Sequence, residues 1–570
     1  MKAGLAVAQM FRDYGARYMF GMPGGQHWPI YAGIAELRPA IDHVSFRSEK
    51  DAAFAAFAYA LVTGRPGICD GTVGPGATNL VSGVAEAWAA SIPVVAVSGD
   101  VPTAGVGRWA AQEIDMRQVL RQFTKGVFRA ERVDKIPELV RAAFRLATSG
   151  RPGPVHLVFP ADLIAAEHDF GDALYVEPEN GVFPARRSAP DPAAVERAID
   201  VIVESKRPVL FAGGGVLSSG ASAELQEFAE LTGIPVATSM MGKGSIPEDH
   251  RLALGAAVTF FTPACTYQMR GHEEMAATDL AILVGTRTDE AATAGWRMPR
   301  PGTPCIHLDI DPAEIGRNYP VRVGLVGDAK LGLRALIDAY RRRSSSGVVP
   351  PRGDRAPQLA RAVERWRAAV EPKLTSAEVP ITGHRVVREL QAALDPTAII
   401  VTDASLVPYY TGAFFDLRRS GRSFVSPRGL GSLGSSVPMM IGAALAAPDR
   451  QVVAFGGDGG FAMAVGELET AVRSGIRAVY VLLNNSALGY GVMTQGPDIS
   501  QRYVPVRYAE AAEAFGCLGI RVEDPADLAG AIRTALASDR PALIEVISAI
   551  EMPTSAGAAI IDTGSAGAGG

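Results

Sequence analysis

The sequence predicts an α/β protein with three doubly wound domains of similar size, each built around a mostly parallel sheet. Apolar, strand-sized runs alternate along the chain with glycine-containing turns and alanine-rich helical stretches, which is typical of parallel α/β folds. Two segments interrupt this alternation. The length of 570 residues also exceeds what one hydrophobic core can organise.

Short apolar runs are predicted as buried strands. Several of them end in Gly or Asp, at the sheet edge where parallel sheets place ligands. The predicted strands cover residues 67–70, 94–98, 155–159, 209–212, 280–284, 399–402, 452–455 and 478–483.

The interrupting segments, 167–192 and 341–357, are rich in Pro, Gly and charge and lack periodicity. They predict linkers between domains. The predicted domains are residues 1–166, 190–340 and 375–553, and the Gly- and Ala-rich end of the chain, 554–570, is predicted to be a flexible tail.

Composition restricts the partners to small molecules. The formal net charge is −5 with both signs interspersed, so neither nucleic acid nor an anionic membrane is expected to bind. The longest apolar runs are strand-sized, and the first twenty residues lack the apolar stretch of a signal peptide. We therefore expect a cytoplasmic location. The four cysteines are scattered, which favours buried thiols over a metal or disulfide site.

The most informative stretch is 452–490, which reads VVAFGGDGGFAMAVGELETAVRSGIRAVYVLLNNSALGY. A predicted strand ends at Gly457, Asp458 and Gly459, a helix is predicted over 462–473, and a second strand ends at Asn484 and Asn485. Asp458 and Asn485, 27 residues apart, therefore follow consecutive strands of one sheet. Glycines at such a turn let backbone N–H groups approach a phosphate.

These side chains predict a magnesium site. Mg²⁺ prefers octahedral oxygen ligands and takes one or two from carboxylates, leaving the others for phosphates and water. Asp458 would supply the charge, Asn485 a neutral oxygen, and the loop near Ala487 a backbone carbonyl. A lone Gly-Asp-Gly is a common turn, but its combination with the Asn-Asn pair after a second strand is far more specific.

The whole stretch resembles the diphosphate motif of thiamine-diphosphate enzymes. That resemblance implies a glutamate elsewhere, which shares a proton with the aminopyrimidine ring and so activates the thiazolium carbon. The candidate is Glu49 in HVSFRSEKDAAFAAFAYA, at the junction of a strand and an apolar helix. A buried position there would suit a group that must share a proton with a ring nitrogen, although a glutamate at a helix start is by itself an ordinary stabilising charge.

Segments across nearly the whole chain resemble one branch of these enzymes, the acetolactate synthase-like family. They include YMFGMPGG, TVGPGATNLVSGVAEAWAASIPVVAVSGD, RPGPVHLVFPADL, HLDIDPAEIG and LNNSALGY. The resemblance implies a pyrimidine-binding first domain, a nucleotide-binding-like central domain and a diphosphate-binding third domain. It also implies a homodimer or homotetramer, in which each site is shared between two chains.

The resemblance also implies a set of cofactor contacts. In PRGLGSLGSSVPMMIGAALA, Leu433 would lie under the bend of the cofactor and the carbonyl of Gly431 near its amino group. Leu406 and Val407 depart from the family, which has polar residues there. The implied cofactor-binding residues are Glu49, Pro75, Asn79, Ala404, Ser405, Gly431, Leu433, Asp458, Gly459, Gly460, Asn485, Leu488, Gly489 and Tyr490.

Candidate substrate-contacting residues lie in the first domain. The loop GRWAAQEIDM resembles the family's Phe-Gln-Glu segment, with Gln112 retained and Ala111 in place of the aromatic residue. Gln26 and His27 occupy a position where related lyases carry a catalytic histidine, and a structural role for His27 is the alternative. The stretch 489–503 lacks the Gln-Trp element that recruits a second 2-keto acid in synthases.

In the central domain, the resemblance implies a site for the adenine nucleotide part of FAD. The residues concerned are Gly213, Gly214, Gly285, Arg287, Asp309 and Asp328. The segment expected along the flavin reads AAVTFFTPAC and departs from the family's Met-His-Gly. FAD is therefore expected, with an empty or ADP-filled site as the alternative.

The function implied is a thiamine-diphosphate-dependent transferase or lyase that makes or breaks a carbon–carbon bond. A 2-keto acid or 1,2-dicarbonyl compound would donate an acyl unit to a carbonyl acceptor. An acyl-coenzyme-A lyase or decarboxylase, or a flavin-linked oxidase, are alternatives on the same scaffold. A non-catalytic nucleotide-binding relative is a further alternative, against which the presence of Glu49 argues.

Overall fold

The computed structural model describes residues 1–260, 266–347, 355–494, 499–553 and 559–560. It contains three sheets of six strands, and every strand pair within each of them is parallel. Helices cover the sheets, so the predicted α/β class with three doubly wound units is confirmed.

The first sheet has the strand order β2-β1-β3-β4-β6-β5. Its strands are β1 (Tyr18–Gly21), β2 (Asp42–Ser45), β3 (Gly67–Gly71), β4 (Val94–Asp100), β5 (Val127–Arg129) and β6 (Val155–Pro160). Its helices are α1 (Ala3–Asp13), α2 (Trp28–Leu37), α3 (Glu49–Thr63), α4 (Pro75–Asn79), α5 (Val81–Ala90), α6 (Met116–Val119), α7 (Ile136–Thr148) and α8 (Ala161–Ala165).

The central part contains β7 (Pro208–Ala212), β8 (Val236–Thr238), β9 (Ala253–Ala256), β10 (Val258–Phe260), β11 (Thr266–Gln268), β12 (Leu280–Val284), β13 (Cys305–Asp309) and β14 (Val321–Val326). The second sheet has the order β14-β13-β12-β7-β8-β9. The helices are α9 (Pro192–Glu204), α10 (Gly214–Ser219), α11 (Ser222–Thr232), α12 (His272–Ala276), α13 (Ala329–Ser345) and α14 (Ala356–Leu374).

The third sheet has the order β16-β15-β17-β18-β20-β19. Its strands are β15 (Ile399–Thr402), β16 (Phe424–Val425), β17 (Val452–Gly457), β18 (Val479–Asn484), β19 (Leu518–Val522) and β20 (Ala542–Ile547). Its helices are α15 (Gly383–Ala393), α16 (Val407–Phe414), α17 (Ser436–Ala446), α18 (Asp458–Ala462), α19 (Glu467–Arg473), α20 (Gly489–Thr494), α21 (Tyr508–Ala514) and α22 (Leu528–Leu536).

Helices α3 and α17 join the first and third domains through one continuous hydrophobic core. Both helices are apolar on almost every side, as expected of helices that are buried all round. Their backbones approach closely at Gly442, where an added Cβ would lie 2.2 Å from the carbonyl oxygen of Ala55. A larger residue at position 442 would therefore separate the two domains.

The structure differs from the sequence-based prediction in three local features. The helix predicted over 462–473 begins later, as α19 at Glu467, because residues 463–466 form a turn after the short α18. Helix α14 occupies most of the gap between the second and third predicted domains. Within the predicted tail, Ala559–Ile560 pair antiparallel with β11 in a small sheet with β10, and the other residues of 554–570 lie outside the described part.

Two expectations about composition can be compared with the structure. Cys69, Cys305 and Cys517 are buried free thiols, and Cys265 lies outside the described residues. Within the described ranges, no helix combines the length and apolar character that crossing a bilayer would demand.

Candidate active site

The residues that the sequence assigns to cofactor binding in the third domain line one cavity of about 350 Å³. The cavity lies beyond the carboxyl ends of β15, β17 and β18, the edge where parallel sheets bind ligands. The predicted residues in its wall are Ala404, Ser405, Gly431, Leu433, Asp458, Gly459, Gly460, Asn485, Ala487, Leu488, Gly489 and Tyr490.

Asp458 provides a buried negative charge in this cavity. Its exposed fraction is 2%, and its carboxylate accepts a hydrogen bond from the N–H of Gly459 at 3.0 Å. Burial raises its pKa to about 6, although backbone N–H groups, including those of Ser486 and Ala487, act in the opposite direction. No cationic side chain pairs with it in the described part of the chain, so the carboxylate is suited to receive a metal cation.

The two asparagines that end β18 have different surroundings. Asn484 donates hydrogen bonds to Glu545 at 2.7 Å and to the carbonyl of Val506 at 3.0 Å, on the side away from the cavity. Asn485 lines the cavity, and its side-chain oxygen accepts a hydrogen bond from the N–H of Ala487 at 3.2 Å. Asn485, and not Asn484, is thus the asparagine that lines the same cavity as Asp458.

The donor set fits a magnesium diphosphate rather than a metal held by protein alone. The described residues contain no cluster of three or more His, Cys, Asp or Glu that could hold a metal. One carboxylate, one amide and backbone oxygens instead leave coordination positions for phosphate and water, which is the usual arrangement for Mg²⁺. The short α18 begins at Asp458, so its first N–H groups also face this edge of the sheet.

Asp403 is a buried acid that the sequence interpretation missed. It follows β15 directly, and its carboxylate accepts hydrogen bonds from the N–H groups of Ala404 at 2.8 Å and Gly434 at 3.0 Å. The N–H and hydroxyl of Ser436 donate to it as well, at 3.2 and 2.6 Å. This carboxylate therefore fixes the loop that carries Leu433 to the strand edge. Its position after an apolar strand was the available signal.

Aromatic and apolar residues complete the wall of the same cavity. Leu406 and Val407, the two departures from the family pattern, lie in it together with Tyr409 and Tyr490. The rings of Tyr409 and Tyr490 are stacked with centroids 6.4 Å apart. The guanidinium of Arg428 lies 5.5 Å from the centre of the Tyr409 ring. Apolar and aromatic side chains therefore form the part of the cavity wall next to the two positions that depart from the family pattern.

Glu49 lies at the first turn of α3 and does not line this cavity. It is 5% exposed and accepts a hydrogen bond from the side chain of Asn79 at 3.0 Å. Asn79 ends α4, which begins at Pro75, and an added Cβ at Gly76 would lie 2.9 Å from the Glu49 carboxylate. The structure thus brings Glu49, Pro75 and Asn79 into one region of the first domain, separate from the third-domain cavity.

Gln26 and Gln112 lie next to each other at the same edge of the first sheet. The Gln26 amide donates to the side-chain oxygen of Gln112 at 3.0 Å and accepts from the hydroxyl of Thr72 at 2.6 Å. The loop with Gln112 packs against Gly74, where an added Cβ would lie 2.7 Å from the Gln112 carbonyl. Both glutamines are accessible to solvent. They can therefore reach a ligand outside the sheet edge.

His27 belongs to a buried network instead. Its Nε2 lies 2.5 Å from the hydroxyl of Tyr31 and 3.2 Å from Asp70, and its ring is fully enclosed. Tyr31 donates to Asp70 at 2.6 Å, and His43 lies 2.9 Å from the other carboxylate oxygen. Although burial raises the pKa of Asp70, the two imidazoles lower it to about 2. This geometry matches the structural alternative for His27.

Glu86 links the first domain to the loop that carries Gly431 within one chain. Its buried carboxylate accepts hydrogen bonds from the N–H groups of Gly429, Leu430 and Gly431 at 2.7, 3.0 and 3.1 Å. Burial raises its pKa, and these three N–H groups counteract the effect. The first domain thereby holds the loop that presents Gly431 to the cavity. Glu86 was not predicted, because nothing in its local sequence distinguishes it from a surface helix residue.

The central domain has a cavity of about 110 Å³ at the carboxyl ends of β7, β12 and β13. Among the predicted nucleotide-binding residues, Gly214, Gly285, Arg287, Asp309 and Asp328 line it. Gly213 does not, and it serves close packing instead, since an added Cβ would lie 2.2 Å from the Gly285 carbonyl oxygen. Burial raises the pKa of Asp309 to about 7 and lowers that of Arg287.

Asp328 already has protein partners. Its carboxylate pairs with Arg187 at 2.8 Å, accepts from the hydroxyl of Ser219 at 2.8 Å, and caps α13 through the N–H groups of Lys330 and Leu331. Asp328 therefore lines the cavity, but its carboxylate oxygens are largely occupied by protein donors. This makes it a weaker candidate for ligand binding than the sequence predicted. Asp309 and Arg287 are therefore the better candidates for nucleotide contacts.

Three family models match successive parts of the chain. They are the thiamine pyrophosphate enzyme N-terminal TPP binding domain over residues 1–119, the central domain over 195–336, and the C-terminal TPP binding domain over 405–546. Each range covers most strands of one of the three sheets, although the first ends before β5 and the third begins after β15. The C-terminal match contains the cavity with Asp458 and Asn485, and the N-terminal match contains Glu49.

Curated relatives match the chain over almost its full length. The probable acetolactate synthase large subunit of Methanocaldococcus jannaschii is 36% identical over 96% of this chain and 92% of its own length. That of Methanococcus aeolicus is 36% identical over 92% and 88%. The acetolactate synthase large subunit of Corynebacterium glutamicum is 34% identical over 96% and 87%. With its sheets, its cavity and these matches, the chain belongs to the acetolactate synthase-like family of thiamine-diphosphate-dependent enzymes.

Proposed function

We propose that the enzyme cleaves the carbon–carbon bond next to the carbonyl group of a 2-keto acid or 1,2-dicarbonyl donor, with release of CO₂ or a carboxylic acid fragment. It then joins the remaining acyl unit to an aldehyde or ketone acceptor. The observation that carries the proposal is the single cavity formed by Asp458, Asn485 and the glycine-rich turns, with Glu49 preserved in the first domain. Thiamine diphosphate, when bound, supplies a nucleophilic carbon that attacks the donor carbonyl.

Magnesium would be held by Asp458, Asn485 and the carbonyl of Ala487. The support is that the buried carboxylate of Asp458, which pairs with no cationic side chain among the described residues, lines the same cavity as Asn485. A divalent cation there removes the cost of keeping that carboxylate ionised in a buried place. The protein's task at this end is to bind and orient the diphosphate group.

Glu49 would hold the proton that activates the cofactor. Its burial and its single side-chain partner, Asn79, leave one carboxylate oxygen free to share a proton with a ring nitrogen. Gly431 and Leu433 would orient the amino group and the bend, since both line the cavity. Gln26 and Gln112, which face solvent at the same sheet edge, would orient the carbonyl oxygen of the substrate.

The complete site would be formed by two chains. Glu49 and the cavity with Asp458 lie on different domains, and Glu49 is absent from the cavity wall within one chain. A two-fold arrangement that places the first domain of one chain against the third domain of its partner would complete two equal sites. A homodimer, or a tetramer made of two such dimers, is the proposed assembly.

FAD is proposed for the central cavity, with Arg287 and Asp309 as its contacts. The support is a cavity at the carboxyl ends of three parallel strands, lined by Gly214 and Gly285. Part of the segment that departs from the family on the flavin side, 261–265, lies outside the described residues. A structural rather than a redox role for the nucleotide agrees with the proposed acyl transfer, which needs no oxidant.

The test is a product screen with the purified enzyme, thiamine diphosphate and Mg²⁺. Pyruvate, longer 2-keto acids and diketones serve as donors, with aldehydes and ketones as acceptors, and mass spectrometry identifies the products. New hydroxyketones support the proposal. Products formed only with coenzyme A, or reduction of a redox dye without a new carbon–carbon bond, would favour the lyase or oxidase alternative and contradict it.

A further inference from the structure

We propose that Trp109 of one chain lines the cofactor cavity of its partner and binds the flat, apolar substituent of the acyl acceptor. This rests on the two-chain site proposed above and goes further, because it names a residue and a substrate class. The class is aldehydes or ketones that carry an aryl or similarly flat apolar group.

Trp109 is presented to solvent by its own chain. It is 94% exposed, more than any other large apolar side chain in the described residues. Its backbone φ of +56° is in the left-handed region, which costs a bulky residue free energy. An exposed aromatic ring held in an unfavourable backbone conformation indicates a binding contact rather than a contribution to the chain's own stability.

The loop around Trp109 is ordered by a carboxylate. Glu113 accepts hydrogen bonds from the N–H groups of Gly107 and Ala110, on either side of Trp109. Gln112, in the same loop, bonds to Gln26. The ring of Trp109 is therefore displayed on a fixed turn, a few residues from the glutamines that face the substrate.

The loop also lies at the correct edge of the sheet. It follows β4, whereas Glu49 follows β2, and β1 and β3 lie between these two strands in a sheet that is entirely parallel. Their carboxyl ends therefore share one edge. If this edge faces the partner's cavity, as Glu49 requires, then Trp109 faces it too.

The opposing wall has matching chemistry. Leu406, Tyr409 and Tyr490 line the cofactor cavity, and the two tyrosine rings are within 17° of parallel. Trp109 of the partner would add a third aromatic surface. In its own loop, Trp109 lies two residues before Ala111, the position at which the family has an aromatic residue. Aromatic rings bind flat apolar groups by stacking and by excluding water. A small polar acceptor would gain little from this arrangement.

The first experiment compares acetaldehyde and benzaldehyde as acceptors, with the donor that the product screen identifies. We expect the wild-type enzyme to prefer benzaldehyde in kcat/KM. Trp109→Ala should raise the KM for benzaldehyde by roughly tenfold or more and should change the KM for acetaldehyde only slightly. Trp109→Phe should have a KM for benzaldehyde close to that of the wild type, because it keeps an aromatic ring. The control is Trp296→Ala, an exposed tryptophan of the central domain with a similar φ of +59°.

The second experiment determines which chain supplies the ring. A heterodimer of one Glu49→Gln chain and one Asp458→Ala chain has one intact site. The Asp458→Ala chain supplies Glu49 to that site, and the Glu49→Gln chain supplies Asp458. Trp109→Ala should change acceptor preference only when it is placed on the Asp458→Ala chain. That chain contributes its first domain to the intact site, and this domain carries both Glu49 and Trp109. The purified heterodimer, isolated with two different affinity tags, is the sample.

Several outcomes would overturn the proposal. One is a wild-type preference for acetaldehyde, and another is a Trp109→Ala variant that loses both acceptors equally. An effect seen when Trp109→Ala is on the Glu49→Gln chain would place the ring in its own chain's cavity instead. An inactive heterodimer would overturn the shared site itself, which distinguishes failure of the proposed function from failure of this assignment.

Discussion

The buried carboxylate of Asp403 accepts a hydrogen bond from the hydroxyl of Ser436 at 2.6 Å. Through this bond and those from Gly434 and Ala404, one acid holds the end of β15, the loop with Leu433 and the start of α17 in a single arrangement. The hydroxyl of Tyr480 lies 2.8 Å from the Ser436 hydroxyl and continues the network into β18. The cofactor cavity is therefore built on a polar network beneath its surface.

We predict that Asp403→Ala weakens both folding and cofactor binding. The substitution leaves several buried N–H groups without an acceptor, and each such group costs about 1–3 kcal/mol. Thermal denaturation should show a lower midpoint, and calorimetry should show weaker binding of thiamine diphosphate with Mg²⁺. Asp539→Asn, an exposed acid of the same domain, is the control. Wild-type cofactor affinity in a folded Asp403→Ala protein would refute the role of this carboxylate.

A second prediction concerns the buried acids Asp51 of α3 and Glu467 of α19, whose carboxyl groups influence each other's pKa between the first and third domains. Burial is the main cause that raises the pKa of both carboxyls. The folded state therefore holds more protons than the unfolded state above the ordinary carboxyl range. The contribution of the two carboxyl groups to the free energy of unfolding is therefore most favourable at acidic pH and is lost as the pH rises toward neutral.

Glu467→Gln should therefore stabilise the protein at about pH 8 relative to wild type, and the difference should diminish at about pH 5. The N–H of Arg47 and the hydroxyl of Thr470 donate to different carboxylate oxygens of Glu467, at 2.9 and 2.6 Å. In the glutamine, the amide oxygen can still accept from Arg47, and the NH2 group can donate to the oxygen of the Thr470 hydroxyl. Urea denaturation at the two pH values measures the difference. Glu513→Gln, on an exposed position of α21, controls for the loss of one negative charge. A larger stabilisation at acidic pH would contradict this direction of the pH dependence.

The third-domain cavity could be predicted from the sequence because its residues are local. Asp458 and Asn485 each follow a strand directly, and strand order then brings them together. Asp403 also follows a strand directly, but the loop that it holds begins about thirty residues further on, and only the tertiary structure shows that contact. Glu86 has no local signal, because its partners Gly429, Leu430 and Gly431 lie more than 340 residues away. Tyr31 lies only four residues from His27, but the buried network around His27 also needs Asp70, which is 43 residues away and is brought there by the sheet.

The central cavity leads to a prediction about flavin. If FAD is bound, the purified protein should absorb visible light as flavoproteins do, and Arg287→Ala should release the chromophore, because a buried guanidinium at the cavity wall is lost. Absorbance of the protein after gel filtration, with released flavin quantified, is the measurement. Arg322→Ala removes a half-exposed cation from β14 and should have no effect. A colourless wild-type protein that gains nothing from added FAD would support the empty or ADP-filled alternative.

The last prediction concerns Glu49. Glu49→Gln should keep the fold and most of the cofactor affinity, because the amide oxygen can still accept from Asn79 and the side chain has the same size. It should slow loss of the proton from the thiazolium carbon by about two to four orders of magnitude, since an amide is unable to share a proton with the ring nitrogen. Hydrogen–deuterium exchange at that carbon, followed by NMR after acid quench, measures this step without any substrate. Glu36→Gln, an exposed glutamate of α2, should exchange as fast as wild type. Because the readout is independent of donor and acceptor, a wild-type exchange rate in Glu49→Gln would refute the activating role even if the substrates were correctly identified.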